Sequence, residues 1–156
     1  MEYKLIKFEE VKSKHNEEAI KLPQRGTEGS AGYDFFSPKD FTLEAGETIM
    51  IWTDVKAYMN PFHNFVLLID VRSSMGKYPI RLDNTVGVID SDYYNNESTE
   101  GNIGLKLTNL GTKPWVVKKD EAIAQGIFTN FFRVDDDVPV STERTGGFGS
   151  TNKGGK

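Results

Sequence analysis

The sequence predicts an all-β protein, a sandwich or barrel of short antiparallel strands, and three observations carry that expectation. Ile103, Leu105 and Leu107 alternate with Gly104, Lys106 and Thr108, the two-residue period of a strand buried on one face. Phe65 to Val71 is a nearly continuous apolar run broken at Asp70, as expected of an inner strand covered on both sides. Turn-forming pairs recur at Ser37-Pro38, Ala45-Gly46, Asn60-Pro61, Leu110-Gly111 and Lys113-Pro114, the punctuation of many short strands.

Taken in order, Phe8 to Leu22 is polar and charged, with too few apolar positions for a helical stripe. It reads as a strand followed by a loop, with at most a short helical turn. Ile49 to Trp52, Val55 to Met59, Trp115 to Val117 and Ile123 to Phe132 supply further β-rich segments. No internal repeat occurs. After Phe132 the composition changes: Asp135-Asp136-Asp137 is followed by Pro139, and Arg144 to Lys156 holds five glycines and almost no core-forming side chain. Residues 1–132 therefore form the expected β domain, and residues 133–156 an acidic linker and flexible Gly-rich tail. Such a tail buries too little apolar surface to offset its ordering entropy. Phe148 and Arg144, set among glycines, could still fold over a ligand that offers a flat ring and a phosphate.

At 156 residues the chain suits one domain with one core. A net charge of −4 and a pI near 5.2 argue against a nucleic-acid surface, which needs a basic face. The absence of cysteine removes disulfides, thiolate zinc sites and a cysteine nucleophile. His15 and His63, the two histidines, lack metal-ligand spacing. No leader-like or membrane-spanning apolar run is present, so a cytoplasmic protein without membrane contact is expected.

Three segments could carry chemistry. In Gly87-Val88-Ile89-Asp90-Ser91-Asp92-Tyr93 an apolar run ends in two carboxylates and a tyrosine. A carboxylate on a rigid strand end can orient a water and accept its proton, although the segment alone is more simply read as a turn capped by Asp side chains. Arg72-Ser73-Ser74-Met75-Gly76-Lys77 is either an anion cradle or an ordinary serine-rich turn. In Gly29-Ser30-Ala31-Gly32-Tyr33-Asp34-Phe35 small residues permit close backbone approach, with Asp34 read first as a cap. No Walker-type loop, dinucleotide fingerprint or serine-nucleophile elbow occurs.

Together these segments resemble the trimeric dUTPase family from about Leu22 to Thr151. Its five motifs are matched in order by Ala31 to Phe35, Arg72 to Gly76, Asn84 to Tyr93, Glu121 to Gln125 and Arg144 to Thr151. The resemblance implies a β jelly-roll protomer of the β-clip type and a homotrimer with composite sites. The first, second and fourth motifs would come from one subunit, the third from another and the fifth from the remaining one. It implies dUTP as substrate and Asp90 as the base that activates water for attack on the α-phosphorus, giving dUMP and pyrophosphate. Such an activity limits uracil incorporation into DNA and supplies dUMP for dTMP synthesis. Tyr93 would pack under the deoxyribose, and Asn84 with the hairpin backbone at Gly87 would read the uracil edge. Arg72, Ser73, Ser74 and Gln125 would hold the phosphates. Arg144 would reach the γ-phosphate and Phe148 would stack on uracil, with Gly149, Ser150 and Thr151 completing the contacts. Mg²⁺ is implied on the phosphates, with Asp34 acting on it through water.

The chain departs from the family in two places. Tyr94 to Asn102 is a longer polar stretch than the usual short link, and one residue separates Arg144 from Gly146 where many members have two. Asn152 also replaces a common glycine. Two alternatives remain beside the hydrolase: a dCTP deaminase of the same fold, and a nucleotide-sensing regulatory protein that offers the inserted loop to a protein partner. The Asp92-Tyr93 pair favours the first reading over the deaminase.

Overall fold

The computed structural model describes residues 3–144 and 146–147, with the side chain at position 76 excepted. Twelve strands follow one another: β1 (Ile6–Glu10), β2 (Gln24–Arg25), β3 (Tyr33–Phe36), β4 (Phe41–Leu43), β5 (Thr48–Trp52), β6 (Val55–Met59), β7 (Phe65–Asp70), β8 (Ile80–Leu82), β9 (Gly87–Ile89), β10 (Gly104–Asn109), β11 (Trp115–Val117) and β12 (Ala122–Asn130). No α-helix is found among the described residues; two 3-10 turns occupy Ser73–Lys77 and Ser91–Tyr93. No helix there is long and apolar enough to cross a membrane.

Every strand pairing is antiparallel. The largest sheet runs β2-β3-β12-β7-β9, a second runs β5-β10-β8, and β1-β6 and β11-β4 form two ribbons. These sheets enclose one core to give a jelly-roll-like sandwich. β7 is an inner strand of its sheet, hydrogen-bonded by β12 and β9, but its faces are not covered equally: Leu67 and Ile69 are fully buried on one, while Leu68 on the other is half-buried. In β10 the alternation holds at Leu105, Lys106 and Leu107, buried, exposed and buried in turn, and ends at Thr108, which is buried as well. The five turn pairs, one each after β3, β4 and β6 and two after β10, all fall between strands. The segment after β1 runs as bends without a helix.

Four short strands, β2, β3, β4 and β8, escape the sequence pattern. β2 has both residues exposed and β8 only three residues, too little for a period to show. β3 begins inside the small-residue segment Gly29 to Phe35. That reading of Asp34 as a cap is corrected: Asp34 sits within a strand, and its Oδ1 meets Arg72 Nε at 2.9 Å.

Candidate active site

Strand register assembles the first cluster. Gln125 of β12 stands opposite Asp34 of β3 on one side and Asp70 of β7 on the other, so the three side chains share a face. Arg72, two residues beyond Asp70 with extended backbone (φ −78°, ψ 154°), keeps that parity and reaches Asp34. Gly32 lies directly over Gln125: a Cβ at position 32 would come within 2.7 Å of Gln125 Oε1, so only glycine lets the amide lie flat there. Gln125 Nε2 donates to the Val71 carbonyl at 3.4 Å. The result is a polar pocket lined by Gly32, Asp34, Arg72, Ser73, Gln125 and neighbours that include Thr27 and Ser30. The sequence reading missed Thr27, whose hydroxyl shares a hydrogen bond with that of Ser30 at 2.7 Å. Small polar residues just ahead of Gly32 were the available signal.

The second cluster lies on the other edge. Beyond β8 the chain turns through Thr85 in the left-handed region (φ 66°), with the Thr85 amide donating to Leu82 O and the Val86 amide to Asn84 O. This turn hands the chain from the three-stranded sheet to β9, the edge of the five-stranded one. Asn84, Gly87, Val88, Tyr93, Gly104 and Arg144 line a pocket floored by Ile69, Leu82, Ile103 and Leu105. As an edge strand, β9 leaves part of its N–H and C=O groups unpaired, available to a ligand in this pocket.

Asp90 begins a 3-10 turn, as the turn reading has it, but its side chain makes no cap. Its Oδ2 instead accepts from Arg144 Nη1 at 2.9 Å, and Asp92 Oδ1 accepts from the same nitrogen at 2.7 Å. Burial works against the Arg144 charge, but these two carboxylates outweigh it and raise the guanidinium pKa. Burial likewise raises the pKa of the Tyr93 phenol, which stays a donor and gives its proton to the Asn102 carbonyl at 2.7 Å. Neither pocket lining includes Ser74 or Asp90. Phe148, Gly149, Ser150 and Thr151 lie outside the described residues.

The two pockets have no residue in common. One chain thus brings together Gly32, Asp34, Arg72, Ser73 and Gln125, and separately Asn84, Gly87, Tyr93 and Arg144. Fold and site define an all-β protein with one polar pocket and one less polar pocket.

A family model described as dUTPase matches residues 18–152. The deoxyuridine 5'-triphosphate nucleotidohydrolase of Lactococcus lactis is 40% identical over 143 residues, which cover 91% of this chain and 95% of that protein. The crystal structure of the Streptococcus mutans dUTPase superposes with a TM-score of 0.72 at 36% identity, covering 82% of this chain and 98% of that one. A variant of the dUTPase of phage phi11 of S. aureus, described with a structural Mg(II) ion, shares the fold at a TM-score of 0.66 and 18% identity, over 88% of this chain and 97% of that one. The chain belongs to the dUTPase family.

Proposed function

We propose that this protein hydrolyses dUTP to dUMP and pyrophosphate at composite sites of a homotrimer, with Asp90 activating the attacking water. The observation that carries this reading is the sorting of the family's motifs into two pockets without a shared residue. A phosphate-type pocket (Asp34, Arg72, Ser73, Gln125) and a nucleoside-type pocket (Asn84, Gly87, Tyr93) serve one nucleotide when different subunits present them. Four exposed apolar side chains, Phe132, Val134, Val138 and Val140, follow β12. An unpartnered apolar run of this kind favours a neighbouring subunit as its cover. Residues 1–132 act as the catalytic frame, and residues 133–156 as the segment that closes over a site.

The chemistry follows from the residues. Asn84 and the free groups of the β9 edge read the Watson–Crick edge of uracil, where cytosine would set donor against donor. The Tyr93 ring packs under the sugar and leaves no room for a 2′-hydroxyl. Arg72 with Ser73, Ser74 and Gln125 fixes the triphosphate by charge-assisted and hydroxyl hydrogen bonds. Asp90, half exposed at the end of β9, accepts a proton from water as that water attacks the α-phosphorus, and the pyrophosphate leaves on the opposite side. Within one chain Arg144 pairs with its own Asp90 and Asp92; when nucleotide arrives it leaves them for the γ-phosphate at a neighbouring site, which frees Asp90 to act at its own. Phe148 stacks on the base, and Gly149, Ser150 and Thr151 add contacts to the phosphates.

No cluster of three or more metal-binding side chains occurs among the described residues. That donor set fits Mg²⁺ carried on the triphosphate and completed by water, with Asp34 as a water-mediated contact. Bound there, the ion neutralises charge on the phosphates and on the leaving group. The product dUMP serves dTMP synthesis, and removal of dUTP keeps uracil out of DNA. Pyrophosphate release measured with dUTP, dCTP, dTTP and UTP in the presence of Mg²⁺ tests the reading: dUTP alone should turn over rapidly. Ammonia from dCTP, or no turnover of dUTP, would refute it.

A further inference from the structure

The polar stretch Tyr94 to Asn102, which the family pattern does not anticipate, is a tightly bonded loop that closes on Tyr93. The Asn96 side chain accepts from the Ser98 amide at 3.1 Å and the Thr99 amide at 2.9 Å through Oδ1. Two backbone donors on one atom settle which end of the amide is oxygen. Its Nδ2 is therefore the group that donates to the Tyr93 carbonyl at 2.7 Å. At the far end of the loop the Asn102 carbonyl accepts from the Tyr93 hydroxyl at 2.7 Å. One residue is thus held at its backbone and at the tip of its ring by two asparagines six positions apart.

Both asparagines are themselves buried and fixed. Asn102 Oδ1 accepts from the Asp54 amide and Nδ2 donates to Asp54 Oδ1, each at 2.9 Å, and Asp54 is fully buried. The loop crosses over itself at Gly101 (φ +83°), where a Cβ would lie 2.9 Å from the Tyr93 carbonyl oxygen. Asn95 and Glu100 also adopt positive φ (56° and 58°), a conformation that non-glycine residues hold when surrounding contacts impose it.

We propose that Asn96 and Asn102 are positioning residues for the Tyr93 ring, so that this loop sets how strictly the site prefers a deoxyribonucleotide to a ribonucleotide. The inference rests on Tyr93 packing under the sugar as proposed above. Steric exclusion of a single hydroxyl works only if the excluding ring cannot retreat, and displacement of a supporting group by about 1 Å is enough to loosen a site. A ring tethered only by apolar packing could rock; one bonded at its carbonyl and its hydroxyl cannot.

The test uses the full chain with Mg²⁺ and compares kcat/KM for dUTP and UTP in three variants. Asn96→Asp keeps the acceptor that caps the loop and removes the N–H given to Tyr93. Tyr93→Phe keeps the ring and removes the hydroxyl given to Asn102. Glu97→Gln, on the exposed rim of the loop, is the control. The expected result is a fall of about tenfold in the dUTP-to-UTP ratio for the first two. That fall should come mainly from KM, with the kcat for dUTP in Asn96→Asp within a few-fold of wild type and the control unchanged. A wild-type ratio in both Asn96→Asp and Tyr93→Phe, with dUTP still hydrolysed, overturns this inference and leaves the hydrolase reading standing. A wild-type protein inert toward dUTP overturns both.

Discussion

Glu100 is the group through which the loop beside Tyr93 is joined to the rest of the fold, and replacing it with glutamine gives a prediction whose size follows from three contacts. Its carboxylate accepts from the Lys12 amide at 2.9 Å, the Ser13 amide at 3.0 Å and Lys56 Nζ at 2.8 Å. Lys56 is only 5% exposed and has Asn95 Oδ1, at 2.6 Å, as its other hydrogen-bond acceptor. The two backbone amides and the Lys56 ammonium hold the Glu100 carboxyl at about 2, against an ordinary value of 4.5. That difference corresponds to at most about 3 kcal/mol of folding free energy, and partial exposure of the side chain reduces it to about 2 kcal/mol. An independent route agrees: glutamine offers one acceptor where the carboxylate offered two, and it leaves a nearly buried ammonium short of its counter-charge, a loss of a few kcal/mol.

Glu100→Gln should therefore lower stability by about 2 kcal/mol at pH 7, and the melting temperature by roughly 6 °C for a chain of this size. Protein concentration must be held fixed, because subunit association of any kind contributes to apparent stability. The pH dependence has a defined sign. A carboxylate whose pKa is depressed by folding stabilises fully above the unfolded value and loses that contribution as the pH falls through the folded one. The gap between wild type and variant should thus be constant above about pH 4.5 and shrink from there toward about pH 2. Urea unfolding at fixed concentration across this range measures it. A loss below about 0.5 kcal/mol at pH 7, or a gap indifferent to acid, would refute the reasoning.

Three further outcomes follow from the site. Asp90→Asn should abolish pyrophosphate release while nucleotide binding, read by calorimetry with a non-hydrolysable dUTP analogue, stays within a few-fold of wild type; the amide can hold a water but not take its proton. Gly32→Ala places a methyl group against Gln125 Oε1, so the flexible amide must swing away. KM for dUTP should rise several-fold with stability changed by less than about 1 kcal/mol, because the atom that yields is the end of a side chain. Arg144→Ala should cost roughly 30- to 100-fold in kcat/KM for dUTP, the worth of a charge-assisted grip on phosphate, with the unfolding midpoint nearly unchanged.

The legible and illegible parts of this sequence divide along one line. Strands that bury one face or both announce themselves: β10 through Leu105 and Leu107, and β7 through its apolar run, needed nothing beyond the chain itself. The ordering of the motifs was equally plain. What strand-by-strand reading could not supply was register. Gln125 stands between Asp34 and Asp70 because β12 pairs with both β3 and β7 at those positions, and no local pattern encodes that adjacency. The same limit hid the polar core. Asp54, with no exposed surface, accepts the His15 and Asn16 amides from 39 and 38 residues away and the Asn102 side chain from 48 residues away. A lone aspartate between two β-rich segments reads as a turn residue until those partners are in place. The polar composition of Tyr94 to Asn102 likewise describes solvent and an internally bonded loop equally well, which hid its contacts with Tyr93.

Two pockets without a common residue demand an explanation of how one nucleotide meets both, and subunit mixing decides it. If a site draws Arg72 from one chain and Asp90 from another, Arg72→Ala and Asp90→Asn damage complementary halves. Each variant refolded alone should be nearly inert. In trimers refolded from an equal mixture, a site is intact when the chain giving Arg72 carries the Asp90 substitution and the chain giving Asp90 carries the Arg72 substitution. Each condition holds for half of the chains, so roughly one quarter of the wild-type sites should return. Sites built within a single chain would recover nothing, because every chain in the mixture lacks one of the two residues. Activity recovered from two inactive proteins has no source other than a shared site, and an inert mixture of properly assembled trimers would remove the composite arrangement from the account.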